Sequence, residues 1–163
     1  MRIGYSIVAA TLGFSAGLTL SPTFRQGDLE PAQDGKMTPA TLKTMIVGLG
    51  LDVKDLNTEV GKEKFEVKAK TDKLNIPVGA EVSPSGNYVW LTVFLGENKS
   101  TKPHEDLLKS NGSIQPTFFY ITSKGNLMAA TALDNRAMTP KIFKRCFDKL
   151  VSDVDKTADI WQK

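Results

Sequence analysis

The chain has 163 residues, 40% of them hydrophobic and 24% charged, which describes a globular protein rather than a disordered one. Lys and Arg number 21 against 18 Asp and Glu, a net charge of +3, and no long basic block occurs, so composition gives a nucleic-acid partner no footing. A single cysteine excludes an intramolecular disulfide, and a single histidine beside it excludes the usual Cys/His zinc sites within one chain.

Met1-Arg2 carries one positive side chain, and the run from Ile3 to Leu20 is apolar with no charge until Arg25. A short positive start before an apolar core is the pattern of an export signal, and Ser15-Ala16-Gly17 supplies the small residues a cleavage site needs. Three Gly, two Ser and two Thr in the run weaken it as a permanent membrane span, although an uncleaved anchor stays open as an alternative. The expected organisation is a signal-like segment over 1–20, a linker over 21–36 and one domain over 37–163, with export to the periplasm or medium. The linker reading rests on two Pro, two Gly and too few apolar side chains to bury. No membrane contact is expected beyond the signal-like segment.

Thr38-Pro39 predicts a helix start, with Thr as N-cap and Pro at the first helical position. Leu42, Met45, Ile46 and Leu49 then fall on one helical stripe, and Gly50 stands where a C-terminal cap belongs. Phe65, Val67 and Ala69 alternate with charged residues, a half-buried strand. Leu74 to Val82 alternates again, and Pro77 within it argues for an edge or a bulge. Ser83–Asn87 reads as a turn. Tyr88 to Leu95 is apolar on both faces, with Val89, Leu91, Val93 and Leu95 on one and Tyr88, Trp90 and Phe94 on the other, which predicts a central strand. Pro103 to Gly112 predicts a short helix with acids in its first turn and Lys109 in its last. Thr117–Thr122 is a strand of aromatic and β-branched residues, Ser123–Asn126 a tight turn, and Leu127–Leu133 the returning strand. Thr139-Pro140 opens a last helix, with Phe143, Phe147, Leu150, Val154, Ala158 and Trp161 on one stripe. The order α-β-β-β-α-β-β-α, with antiparallel hairpins and helices at both ends, predicts an α+β two-layer sandwich with the helices on one face of the sheet.

The second half carries Leu107-Leu108-Lys109-Ser110-Asn111-Gly112, then Pro116-Thr117-Phe118-Phe119-Tyr120-Ile121, Gly125-Asn126-Leu127, Leu133-Asp134-Asn135-Arg136 and Thr139-Pro140. With the element order, this run resembles the type III secretion chaperone-like fold and, within it, the YbjN-like group of small bacterial proteins. The resemblance implies a non-enzymatic, often dimeric, polypeptide-binding domain. Joined to the export signal, it gives an exported bacterial domain that binds a polypeptide partner or pairs with its own copy. The alternative is a small-molecule or sensory ligand-binding domain, which would show an enclosed pocket with a few convergent polar groups.

No catalytic set, metal set or cofactor motif emerges from the residues. His104, Glu105 and Asp106 lie in the first turn of the short helix and read as helix-start residues rather than a base or a cation site. Cys146, beside Phe147, reads as a small buried hydrophobe. Asp134-Asn135-Arg136 reads as a turn with an Asp–Arg contact. Gly48-Leu49-Gly50 lacks the preceding strand and third Gly of a phosphate loop. The candidate surface is the aromatic set Tyr88, Trp90, Phe94, Phe118 and Tyr120. In a two-layer fold the sheet's second face must be covered by loops, by the N-terminal segment or by a partner. Tyr and Trp are favoured at such interfaces.

Overall fold

A computed structural model of the chain describes residues 35–99 and 101–163. The signal-like segment 1–20 and all but the last two residues of the linker fall outside the described residues.

The first helix, α1 (Pro39–Gly48), starts as its sequence dictates. Thr38 Oγ1 accepts the Thr41 N–H at 3.2 Å and Thr41 Oγ1 accepts the Thr38 N–H at 2.8 Å, a reciprocal capping box. It ends in a Schellman motif: Leu51 N–H reaches Ile46 O and Gly50 N–H reaches Val47 O, with Gly50 at φ +71°. Four strands follow: β1 (Val53–Asn57), β2 (Lys64–Lys70), β3 (Asn75–Val82) and β4 (Tyr88–Glu97). Then come α2 (His104–Ser110), β5 (Phe118–Ile121), β6 (Asn126–Asp134) and a 3₁₀ turn at Asn135–Ala137. Two helices, α3 (Pro140–Lys156) and α4 (Ala158–Trp161), close the chain.

The strands form one antiparallel sheet in the order β1-β2-β3-β4-β6-β5. Its core is one-sided. Phe65, Val67, Ile76, Val78, Ala80, Val89, Leu91, Val93, Phe119, Leu127, Ala129 and Leu133 point the same way and cluster with Leu42 and Ile46 of α1, Leu107 of α2 and Phe143, Phe147, Leu150 and Val154 of α3. The class is therefore the expected one, an α+β two-layer sandwich with the helices on one face.

Four features depart from the sequence reading. The sheet gains β1, a strand whose Lys54, Asp55, Leu56 and Asn57 are all exposed. With only Val53 packed against the core, it has no alternation to betray it. β3 is an interior strand, not an edge, but β4 pairs only with Val78–Val82, so Pro77 lies where β3 has β2 alone beside it. The last stripe is split: α3 ends at Lys156, and Thr157 (φ −100°, ψ 11°) donates its hydroxyl to Asp153 O at 2.6 Å. Such back-bonding from a β-branched residue bends helices. The bend leaves Val154 O to accept the Trp161 indole N–H at 2.8 Å. Asp153, which is not one of the stripe residues, is nonetheless buried, with Lys149 Nζ at 2.6 Å from each of its oxygens and 3.0 Å from Ile114 O.

Candidate functional site

The second face of the sheet is built by register. Trp90 stands opposite Glu81 on β3 and Ala132 on β6; Thr92 opposite Gly79 and Ala130; Phe94 opposite Met128. From the edge, β5 sets Phe118 opposite Ala130 and Tyr120 opposite Met128. The strand between the two aromatic strands thus carries alanines where the rings face each other. Rings on β4 and β5 close over it: Trp90 and Phe118 meet edge to face with centroids 6.2 Å apart. Tyr88 lies 6.5 Å from Trp90, and Tyr120 lies 5.8 Å from Phe118. These are spacings at which aromatic pairs attract beyond simple burial.

Of the five candidates, Tyr88, Trp90, Phe118 and Tyr120 form one continuous ladder. Phe94 shares the face but stands apart, 56% exposed. It opposes Met128, which in turn opposes Tyr120. None of the five belongs to the core cluster. Tyr88 is 46% exposed, and the other three rings are half-buried. Burial, and then the nearby Glu81 charge, push the Tyr120 phenol above its ordinary value. It therefore stays protonated and able to donate near neutral pH.

Three small residues make this arrangement possible, and the sequence reading did not single them out. Ala130 is fully buried and Thr92 nearly so, although both lie on the outer face. A Cβ at Gly79 would meet Thr92 Oγ1 at 2.8 Å and the Lys64 side chain at 3.3 Å, so any larger residue there would have to displace the Thr92 hydroxyl. The available signal was the alternation of Met128, Ala130 and Ala132, whose small members mark positions that bulky neighbours overhang. Beyond the ladder, β2 presents Lys64, Glu66, Lys68 and Lys70 on the same face, with Lys64 paired to Glu81 at 3.2 Å.

The remaining candidates separate. His104 is half-buried, with Nε2 at 2.6 Å from Asn98 Oδ1. It borders a hollow of about 130 Å³ shared with Leu107, Leu108, Phe119, Tyr120, Ile121 and Leu127. Glu105 turns to Lys109 at 2.7 Å, and Asp106 is exposed. Cys146 is half-buried against the core rather than fully enclosed. Asp134 and Arg136 make the expected contact, with Nε at 3.0 and 3.1 Å from the two carboxylate oxygens. Asn135 between them is fully buried.

The Arg136 side chain, hydrogen-bonded to Asp134, together with the Arg136 backbone N–H, holds that carboxyl down to about 2. A group depressed in the folded state stabilises it above the unfolded value and loses that contribution as pH falls through the folded one. The pair's contribution should therefore fade between pH about 4 and about 2. In a carboxyl-detected NMR titration of Arg136→Ala, the Asp134 midpoint should rise toward the ordinary carboxylate range but stay below it, because the backbone N–H of residue 136 still donates to the carboxylate. An unmoved midpoint would show that the Arg136 side chain is not the cause.

No family model matches the chain, and no curated protein matches it. A solved structure does: a chain of the HopA1-SchA chaperone–effector complex superposes with a TM-score of 0.52 at 14% identity, covering 79% of this chain and 99% of that one. At that identity the likeness shows a shared fold and nothing beyond it.

Proposed function

We propose that this chain is a non-enzymatic polypeptide-binding domain that holds its partner on the aromatic face of its sheet. The observation that carries the reading is the ladder Tyr88–Trp90–Phe118–Tyr120, which stands on the face opposite the helices and outside the core cluster. Half-exposed Tyr and Trp side chains have a large apolar body and a polar tip, the chemistry of protein-binding hot spots. The chaperone-like fold, shared with a chain of a chaperone–effector complex, supports a polypeptide as the occupant. The run from Leu107 to Pro140 supports placement in the YbjN-like group, and the apolar run after Arg2 supports an exported protein.

The ligand-domain alternative has less to stand on. The apolar hollow beside His104, about 130 Å³, is smaller than the roughly 300 Å³ at which small-molecule sites begin. A larger hollow of about 450 Å³ over Ile76 and Pro77 is rimmed by the exposed Lys68 and Lys70, not by convergent buried polar groups.

The test is Trp90→Glu. Peptides selected from a random display library on the full-length wild type should bind it and fail to bind the variant, while circular dichroism shows the variant folded. Sedimentation of both proteins reads self-association on the same face. An unfolded Trp90→Glu would make Trp90 ordinary core, and a folded variant with unchanged peptide binding would remove this face as the site.

A further inference from the structure

β5 is an edge strand, and its sequence makes that edge hazardous. Thr117-Phe118-Phe119-Tyr120-Ile121-Thr122 is uncharged, free of Gly and Pro, and wholly aromatic or β-branched. Such segments pair readily with copies of themselves when their backbone edge is open. The opposite edge is defended in the ordinary way, since β1 carries Lys54 and Asp55 and its register shifts between Asp55 and Asn57. β5 has neither charge nor bulge.

What it has is Asn111. This residue caps the C-terminal end of α2, its N–H bonded to Leu107 O. Its amide lies against the outer edge of β5: Oδ1 accepts the Phe119 N–H at 2.7 Å, and Nδ2 donates to Phe119 O at 3.2 Å. The two outward groups of one strand residue are thus satisfied by a single side-chain amide, as a peptide group on a neighbouring strand would satisfy them. Next along the edge, the Thr117 N–H is taken by Ile114 O at 3.0 Å. By the alternation of an antiparallel ladder, Ile121 is the next residue to turn its N–H and C=O outward.

We propose that Asn111 is a strand mimic that closes the β5 edge, and that the occupant it excludes is β5 of a second copy of this chain. The uncharged, self-complementary Thr117–Thr122 segment makes a second copy the natural occupant. The inference is independent of the aromatic face, because it concerns backbone groups at the edge of the sheet rather than side chains above it.

The test is hydrogen exchange by residue, with sedimentation, on the full chain. In the wild type the Phe119 amide should be protected although it faces away from β6. In dilute Asn111→Ala its exchange should rise by about tenfold or more, the scale of one lost hydrogen bond. As that variant is concentrated, its sedimenting mass should grow beyond the wild type's, with the Phe119 and Ile121 amides becoming protected together. Adding Ile121→Pro, which removes an outward donor, should return the mass to the wild-type value. An unprotected Phe119 amide in the wild type overturns the proposal, and that measurement stands whether or not the variant folds. So does a folded Asn111→Ala with wild-type mass at every concentration, or an association that persists with Ile121→Pro.

Discussion

Phe147→Ala is expected to destabilise the domain by about 3–5 kcal/mol, and Leu150→Ala by about 2–5 kcal/mol. Phe147 is 3% exposed, on the stripe by which α3 lies against the sheet, and its ring stacks on Phe143 with centroids 6.2 Å apart and planes 16° from parallel. Truncation loses the transfer of that ring from water and leaves a cavity that Phe143, itself held by the core, cannot fill. Asp148→Ala, one residue along, is the internal control. Asp148 is exposed and holds Lys144 in an i,i+4 pair, an interaction worth roughly 0.3–0.5 kcal/mol. Urea unfolding followed by circular dichroism reads all three. A cost below about 0.5 kcal/mol for Phe147→Ala would place the stripe in solvent, where substitutions are usually that mild.

The fold was legible because its elements state their own ends. Thr38-Pro39 and Thr139-Pro140 each carry the N-cap and first-position chemistry of a helix start, and both caps form. The alternation from Tyr88 to Leu95 gave the central strand and both of its faces, and four of the five aromatic residues picked from such alternation meet in one ladder. What the sequence does not display is what depends on a neighbour far along the chain. β1 was hidden because edge position, not side-chain pattern, makes it a strand. The break at Thr157 was hidden because Phe143 through Trp161 keeps a helical spacing on either side of it. The burial of Asp153 carries no sequence signal because it depends on a lysine one turn earlier reaching Ile114 O. Asn111 passed as part of the short helix and Asn135 as a turn residue because periodicity says nothing about where an amide side chain points.

Asn135→Ala should cost about 3 kcal/mol, and lower the unfolding temperature by roughly 10 °C, although the residue touches no candidate site. Asn135 is fully buried, with partners from two other parts of the chain. Its Oδ1 accepts the Met37 N–H at 2.9 Å, and its Nδ2 donates to Met37 O and to Gly86 O, each at 3.0 Å. Its backbone N–H reaches Asn87 O at 2.9 Å. One side chain thus fastens the segment entering α1 to the β3–β4 turn and to the end of β6, some 98 positions along from Met37. Alanine removes the amide and strands one donor and two acceptors where water does not readily reach, and each buried unsatisfied group costs about 1–3 kcal/mol. Asn135→Asp separates this network from simple loss of volume. Aspartate keeps the shape and the acceptor for Met37 N–H, but sets a carboxylate against two carbonyl oxygens, so it should destabilise at least as much as alanine. Thermal unfolding of both variants decides the matter. If Asn135→Asp unfolds at the wild-type temperature, the amide's two donated bonds contribute nothing, and the entry to α1 is held by Met37 packing and the bond its N–H donates.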